Sequence, residues 1–200
     1  MSSKIQENKQ RKLDQLLQAA SALFVEKGMD LVSVSEIARK AGVAKGTFYL
    51  YFKDKEHLRD EILSEESLKL FEMADQKLKA CPQPTFEASI VYLVDQVLKQ
   101  LEQNASLVHF IRRSLSYAIF HTGLQEMMDS EKFDLTKRFE ELAASFGWTL
   151  KDPGQTLFFI VELAGGTCYS CLVDQRPGSL ENTKPGLYKA IERILESGRT

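Results

Sequence analysis

Glycine decides where the first helices of this chain can stop. Leu13, Leu17, Ala20 and Phe24 recur at spacings of four, three and four, an apolar stripe of helical period that breaks at Gly28. The string SVSE follows. Ser33 is a capping residue, and Glu36, three positions on, can reach back to it, while Ile37, Ala38 and Ala41 give this short second helix an inward face that ends at Gly42. A third helix follows Val43, with Phe48 and Phe52 on its buried side, so Lys45, Thr47, Tyr49 and Tyr51 point elsewhere. Asp54 is expected to cap a fourth, long helix.

A short helix, a glycine turn and a second helix presenting Lys, Thr and Tyr outward are the parts of a helix-turn-helix reader of duplex DNA. Lys45 and Thr47, near the start of the reading helix, can reach base edges, Gly46 allows close backbone approach, and the hydroxyls of Tyr49 and Tyr51 can bind phosphate oxygens. Lys55, with the helix start beside it, offers a further phosphate clamp. Tyr51 is expected to split its role, ring packed on the first helix and hydroxyl outside, and Lys40 and Lys53 read as solvated charges. Net charge agrees: residues 1–60 hold eleven Lys/Arg against eight Asp/Glu, residues 61–200 fifteen against twenty. The first 60 residues therefore attract polyanions and the rest do not.

Beyond residue 60 the helical period continues. The CPQP break at Cys81–Pro84 ends the long helix, and Phe86, Ile90, Leu93, Val97 and Leu101 mark another. One or two helices are predicted between Ala105 and His121, one from about Gly123 to Phe146, one from Pro153 on the strength of DPGQ, and one from Lys184. Nothing alternates with period two, and the polar first ten residues are expected to be mobile. The longest apolar tract, Leu157–Val173, contains Glu162 and falls short of the roughly 20 residues a membrane span needs, so it reads as an interface helix. With no membrane partner and no charged-then-apolar leader at the start, a cytoplasmic protein is expected. Cys81, Cys168 and Cys171 are too few for a disulfide framework; Ala164, Gly165, Cys168 and Cys171 read instead as a small-residue stripe rather than a metal or redox pair. No Gly-rich phosphate loop or nucleophile elbow is found, and His57, His109 and His121 have no obvious partners in sequence. Neither an enzyme, a metal site nor a cofactor is expected.

From Ser33 to Leu58, SVSEIARKAGVAKGTFYLYFKDKEHL resembles the tetracycline-repressor (TetR) family of bacterial transcriptional regulators, and with the first helix the resemblance covers about residues 9–60. It implies an all-α chain: an N-terminal three-helix DNA-binding domain, residues 1–54, and a C-terminal helical ligand-binding and dimerisation domain, residues 55–200. Carried over residue by residue, it places Ser33 and Ser35 near phosphate, Lys45, Gly46, Thr47 and Tyr49 on the reading surface, and Tyr51 and Lys55 on the DNA backbone. Ala44 departs from the family, which often has a capping serine there. The resemblance further implies a homodimer on double-stranded operator DNA, paired through the last two helices, where Leu187, Ile191, Ile194 and Leu195 supply an apolar stripe beside Ala164, Gly165, Cys168 and Cys171. An effector pocket among the middle helices is expected near Phe71, Phe110, Tyr117, Phe120, His121 and Phe139, suited to an aromatic or largely apolar small molecule. The implied function is that of a repressor released from a palindromic operator by this effector; the alternative is an activator or an architectural DNA-binding protein without a ligand.

Overall fold

The computed structural model describes residues 2–103, 108 and 134–200. Phe110, Tyr117, Phe120 and His121 lie outside the described residues, as do the helices expected between Ala105 and His121 and the start of the one expected from Gly123. The described part is helical, with no strand beyond an isolated antiparallel bridge between Leu150 and Arg199. Its backbone contacts divide into two units, Met1–Leu63 and Ser64–Thr200.

In the first unit α1 spans Ser2–Lys27. Its buried seam runs through Leu13, Leu16, Ala20, Leu23 and Phe24, so Leu16 takes the fully buried place and the expected Leu17 is only half-buried. The polar first residues, expected to be mobile, extend this helix back to Ser2, with residues 6–11 exposed. Gly28 then takes φ 78°, a left-handed conformation that costs a glycine nothing, and the chain reverses into a 3-10 turn, Met29–Leu31. Helix α2, Val34–Lys40, starts on the expected reciprocal cap: the Glu36 N–H donates to Ser33 Oγ at 3.2 Å and the Ser33 N–H donates to Glu36 Oε2 at 3.0 Å. It stops two residues before Gly42, again at positive φ, 69°. Helix α3 is a single turn, Lys45–Phe48, and without a side-chain cap at Ala44. Asp54 Oδ1 accepts the His57 N–H at 2.7 Å and so caps α4, Lys55–Ala80, which begins in the first unit and ends in the second.

The second unit contains the later turns of α4, then α5 (Phe86–Gln103), α6 (Leu135–Ser145), α7 (Pro153–Leu172) and α8 (Leu180–Gly198). Helix α7 starts as DPGQ predicts: Pro153 opens the first turn and Asp152 Oδ1 accepts the Gln155 N–H at 2.8 Å. Helix α8 starts earlier than expected, at Leu180, because Ser179 caps it through the Asn182 N–H at 3.3 Å and the helix continues through Pro185. Tyr188 Oη donates to Asp95 Oδ1 at 2.8 Å, and the buried Lys184 lies 3.6 Å from the same oxygen, tying α8 to α5.

Helices α7 and α8 pack on each other along their apolar seams. Most of the residues expected at a subunit interface lie in or beside this seam. Gly165, Cys168, Cys171, Leu187, Ile191 and Leu195 are buried within the single chain, and only Ala164 and Ile194 keep partial exposure. An apolar stripe must be covered, and a neighbouring helix of the same chain covers it without association entropy. Ile191, at 0% exposure, should therefore report on folding: Ile191→Ala is expected to lower unfolding free energy by about 2–5 kcal/mol in urea titrations. Lys189→Ala, on the exposed side of α8, should change it by less than about 0.5 kcal/mol.

Candidate nucleic-acid interface and internal cavity

Helix α3 is too short to stand alone, so its orientation comes from side chains that anchor it. Phe48 and Phe52 are 0% and 1% exposed, with ring centroids 5.6 Å apart, and His57 stands edge-on to Phe52 at 5.7 Å. Fixing Phe48 inward turns its neighbours outward. Lys45 and Gly46 are exposed, Thr47 is half-buried, and Tyr49 and Leu50 are 53% and 77% exposed. A Cβ added at Gly46 would meet nothing within 4 Å, so any need for glycine there comes from an outside partner. Leu50 was not among the expected site residues, and only its tertiary setting reveals it.

A shallow depression in the first unit brings Ser33, Val34, Tyr49, Lys53, Lys55 and the acidic Asp30, Asp54 and Glu56 onto one surface. Ser35 is exposed on the adjoining first turn of α2. Two expected contacts are committed inside the unit. Tyr51 Oη donates to the Lys9 carbonyl at 3.1 Å, which engages the hydroxyl expected outside. Lys55 Nζ donates to the carbonyls of Met29, Asp30 and Val32 at 3.1, 3.3 and 3.3 Å, using the three donors of an ammonium on the turn between α1 and α2. Lys27 pairs with Glu36 and Lys40 with Glu26, whereas Lys45, Lys53 and Arg39 have no ion-pair partner among the described residues. Lys53, read from sequence as a solvated charge, is thus the unspent cation in the depression.

The second unit holds a cavity of about 80 Å3 between α4, α5, α6 and α7, open on one side. Phe71 and Phe139, both expected near a pocket, line it together with Ile90, Leu93, Val94, Val97, Leu135, Leu157, Ile160, Val161 and Ala164. Its two charged lining residues among those described are Asp75 and Arg138. Cys168 and Cys171 are free thiols in the apolar seam beside it. Burial, followed by the nearby Cys171, pushes the Cys168 thiol up to about 12, so at neutral pH it is a neutral thiol.

Two short helices meeting at a glycine turn, the second held by buried aromatics and presenting cationic and hydroxyl groups, define a helix-turn-helix unit. Residues 16–62 match the bacterial regulatory proteins of the tetR family. An uncharacterized HTH-type transcriptional regulator, YvdT of Bacillus subtilis, is 53% identical over 47 residues, 24% of each chain. The fatty acid metabolism regulator protein of the same organism is 38% identical over 71 residues, 36% of this chain and 37% of that one. The matched stretch thus spans about a quarter to a third of these relatives. Among solved structures, the transcriptional regulator FadR of Bacillus subtilis in complex with stearoyl-CoA superposes with a TM-score of 0.55 at 19% identity, over 88% of this chain and 96% of that one. The tetR-family match thus lies within the N-terminal segment, residues 16–62. No helix among the described residues is long and apolar enough to cross a membrane.

The reciprocal cap that sets α2 carries a pH signature. Hydrogen bonds from the Ser33 backbone and side chain, then the Lys27 ammonium, lower the Glu36 carboxyl from 4.5 to about 2. A lowered carboxyl stabilises the fold above its unfolded value and loses that contribution as pH falls through the folded one. Glu36→Gln should therefore melt below the parent at neutral pH, and the gap should close between pH 4.5 and about 2 in melting curves followed by circular dichroism.

Proposed function

We propose that this chain is a ligand-responsive transcriptional repressor that binds a palindromic operator as a homodimer and leaves it when a small, largely apolar molecule enters the second-unit cavity. The observation that carries the reading is the run of exposed Lys45, Gly46, Tyr49 and Leu50 with half-buried Thr47, on a segment anchored by the buried Phe48 and Phe52. Lys45 and Thr47 read base edges, Tyr49 reaches phosphate, and Leu50 supplies apolar contact of the kind a thymine methyl accepts. Lys53 neutralises phosphate, and Ser33 and Ser35 flank it. Lys55 and Tyr51 act mainly as positioning groups, because their polar atoms already hold the Met29–Leu31 turn and α1.

DNA binding tests these roles separately. Thr47→Ala and Tyr49→Ala should each weaken operator binding by about 5- to 150-fold, the range of a 1–3 kcal/mol base or phosphate contact, without lowering the melting temperature. Lys53→Ala should weaken all sequences alike and reduce the salt slope by about one unit. Lys55→Met should instead lower the melting temperature. Operator affinity unchanged in both Thr47→Ala and Tyr49→Ala, at matched salt, would remove α3 as the reading segment.

A single short segment covers few base pairs, so a dimer reaching successive major grooves about 34 Å apart supplies the rest of the affinity. With Ile191 and Leu195 consumed inside the chain, we place the dimer contact on the opposite side of α7, where Phe158 and Phe159 are 40% and 47% exposed and Gly166 is exposed two turns further on. Phe159→Asp should yield a folded monomer by sedimentation velocity. A parent that sediments as a monomer, or a Phe159→Asp protein that remains dimeric, would contradict this placement.

Ligand and DNA are coupled through α4, one continuous helix from Lys55 beside the reading segment to Ala80, with Phe71 and Asp75 on the cavity wall. A ligand that prefers one setting of this helix and an operator that prefers another antagonise each other reciprocally. A coupling of about 1–3 kcal/mol weakens operator binding roughly 5- to 150-fold, sufficient to release a promoter.

A further inference from the structure

We infer that the effector is an apolar molecule carrying one anionic head group, and that Arg138 is the residue that receives the head. This rests on the reading of the second-unit cavity as the effector site. Among the described lining residues only Asp75 and Arg138 are charged, so a polar head group finds partners at this pair and nowhere else on the described wall.

The sign of the head group follows from how the pair's hydrogen-bonding capacity is spent. Asp75 is 4% exposed and both of its oxygens are engaged: Oδ1 accepts from Arg138 Nε at 2.8 Å and Oδ2 lies 2.7 Å from Lys79 Nζ. Burial opposes its charge, but the hydrogen bonds from Lys79 and Arg138 prevail and hold its pKa below the ordinary value, so it is a carboxylate at neutral pH. A cationic head would meet two positive charges already set against Asp75, those of Arg138 and Lys79.

Arg138 is differently placed. Of its five donors, Nε–H is given to Asp75, and Nη1 lies 4.0 Å from the exposed Glu141, beyond hydrogen-bond distance. Its Nη groups make no hydrogen bond among the described residues and have only that long contact with an exposed carboxylate. A carboxylate matches this open fork in shape and charge. Asp75 keeps Lys79 when Arg138 turns to a ligand, so no buried charge is stranded. Arg138 belongs to α6 and Asp75 to α4, so a head group that shares Arg138 also competes with an ion pair joining these two helices. That competition is the differential contact that a ligand needs in order to shift a helix.

The test uses the full chain with decanoate and decanol, equal in chain length and kept below micelle-forming concentrations, titrated by calorimetry. Decanoate should bind about ten-fold or more tighter than decanol, the value of one charge-assisted pair. Arg138→Gln should reduce decanoate to the affinity of decanol and leave decanol unchanged. Because that variant leaves Asp75 with one partner fewer, the double variant Asp75→Asn/Arg138→Gln provides the same comparison without the buried carboxylate. Ala164→Phe, which fills the cavity, should abolish both ligands. Equal binding of acid and alcohol, or acid preference retained without Arg138, would overturn the head-group assignment while leaving the cavity as the effector site. Failure of both ligands to bind the parent, or binding untouched by Ala164→Phe, would overturn the cavity reading and the assignment with it.

Discussion

The burial of two phenylalanines governs everything the first unit can do. A four-residue helix has no stability of its own, since nucleation costs more than one turn of hydrogen bonds returns. Phe48 and Phe52 supply what is missing, each contributing about 1.5–3 kcal/mol on full burial. Because they fix the rotation of the segment, they also decide which residues face outward, and Tyr49 and Leu50 are exposed for that reason. The surface proposed to meet DNA is in this sense a by-product of the core. Lys55 extends the same logic by holding the Met29–Leu31 turn through three carbonyls, so the start of α2 is set by a side chain from the start of α4.

The second unit depends on a different compromise. Its helices bury apolar seams on one another, yet α4 and α6 meet through a charged pair at the edge of an apolar cavity. A buried ion pair is a weak source of stability, because desolvation offsets attraction. It is a strong source of specificity, because removing either partner leaves the other exposed to a poor solvent. Asp75, with two cationic partners, tolerates the temporary loss of one, and a pair of this kind can be exchanged without unfolding its surroundings.

Small residues along α7 show how one pattern can serve two purposes. Gly165, Cys168 and Cys171 permit α8 to approach, while the opposite side of α7 retains Phe158 and Phe159 at the surface. The two sides differ in side-chain size as well as exposure: small groups where helices of one chain must close, large aromatics where a further surface remains to be covered.

Local chemistry made much of this legible from the sequence alone. The Ser33–Glu36 cap, the left-handed glycines 28 and 42, the Asp54 cap and the Asp152–Pro153 start each depend on residues within a few positions of one another, so spacing determined them. The all-α class and the inward Phe48 and Phe52 followed from helical period for the same reason. What only the tertiary structure decided involves partners far apart in the chain. Whether Leu16 or Leu17 is the deeper residue of α1, whether Ile191 faces α7 or solvent, and that α8 runs through Pro185 depend on which neighbour covers each face. Lys55 meets carbonyls 23 to 26 residues away, Tyr51 one 42 residues away, and Arg138 a carboxylate 63 residues away. Periodicity carries no information about such meetings, because a charge or hydroxyl on an outward position looks the same in sequence whether water or a distant backbone receives it.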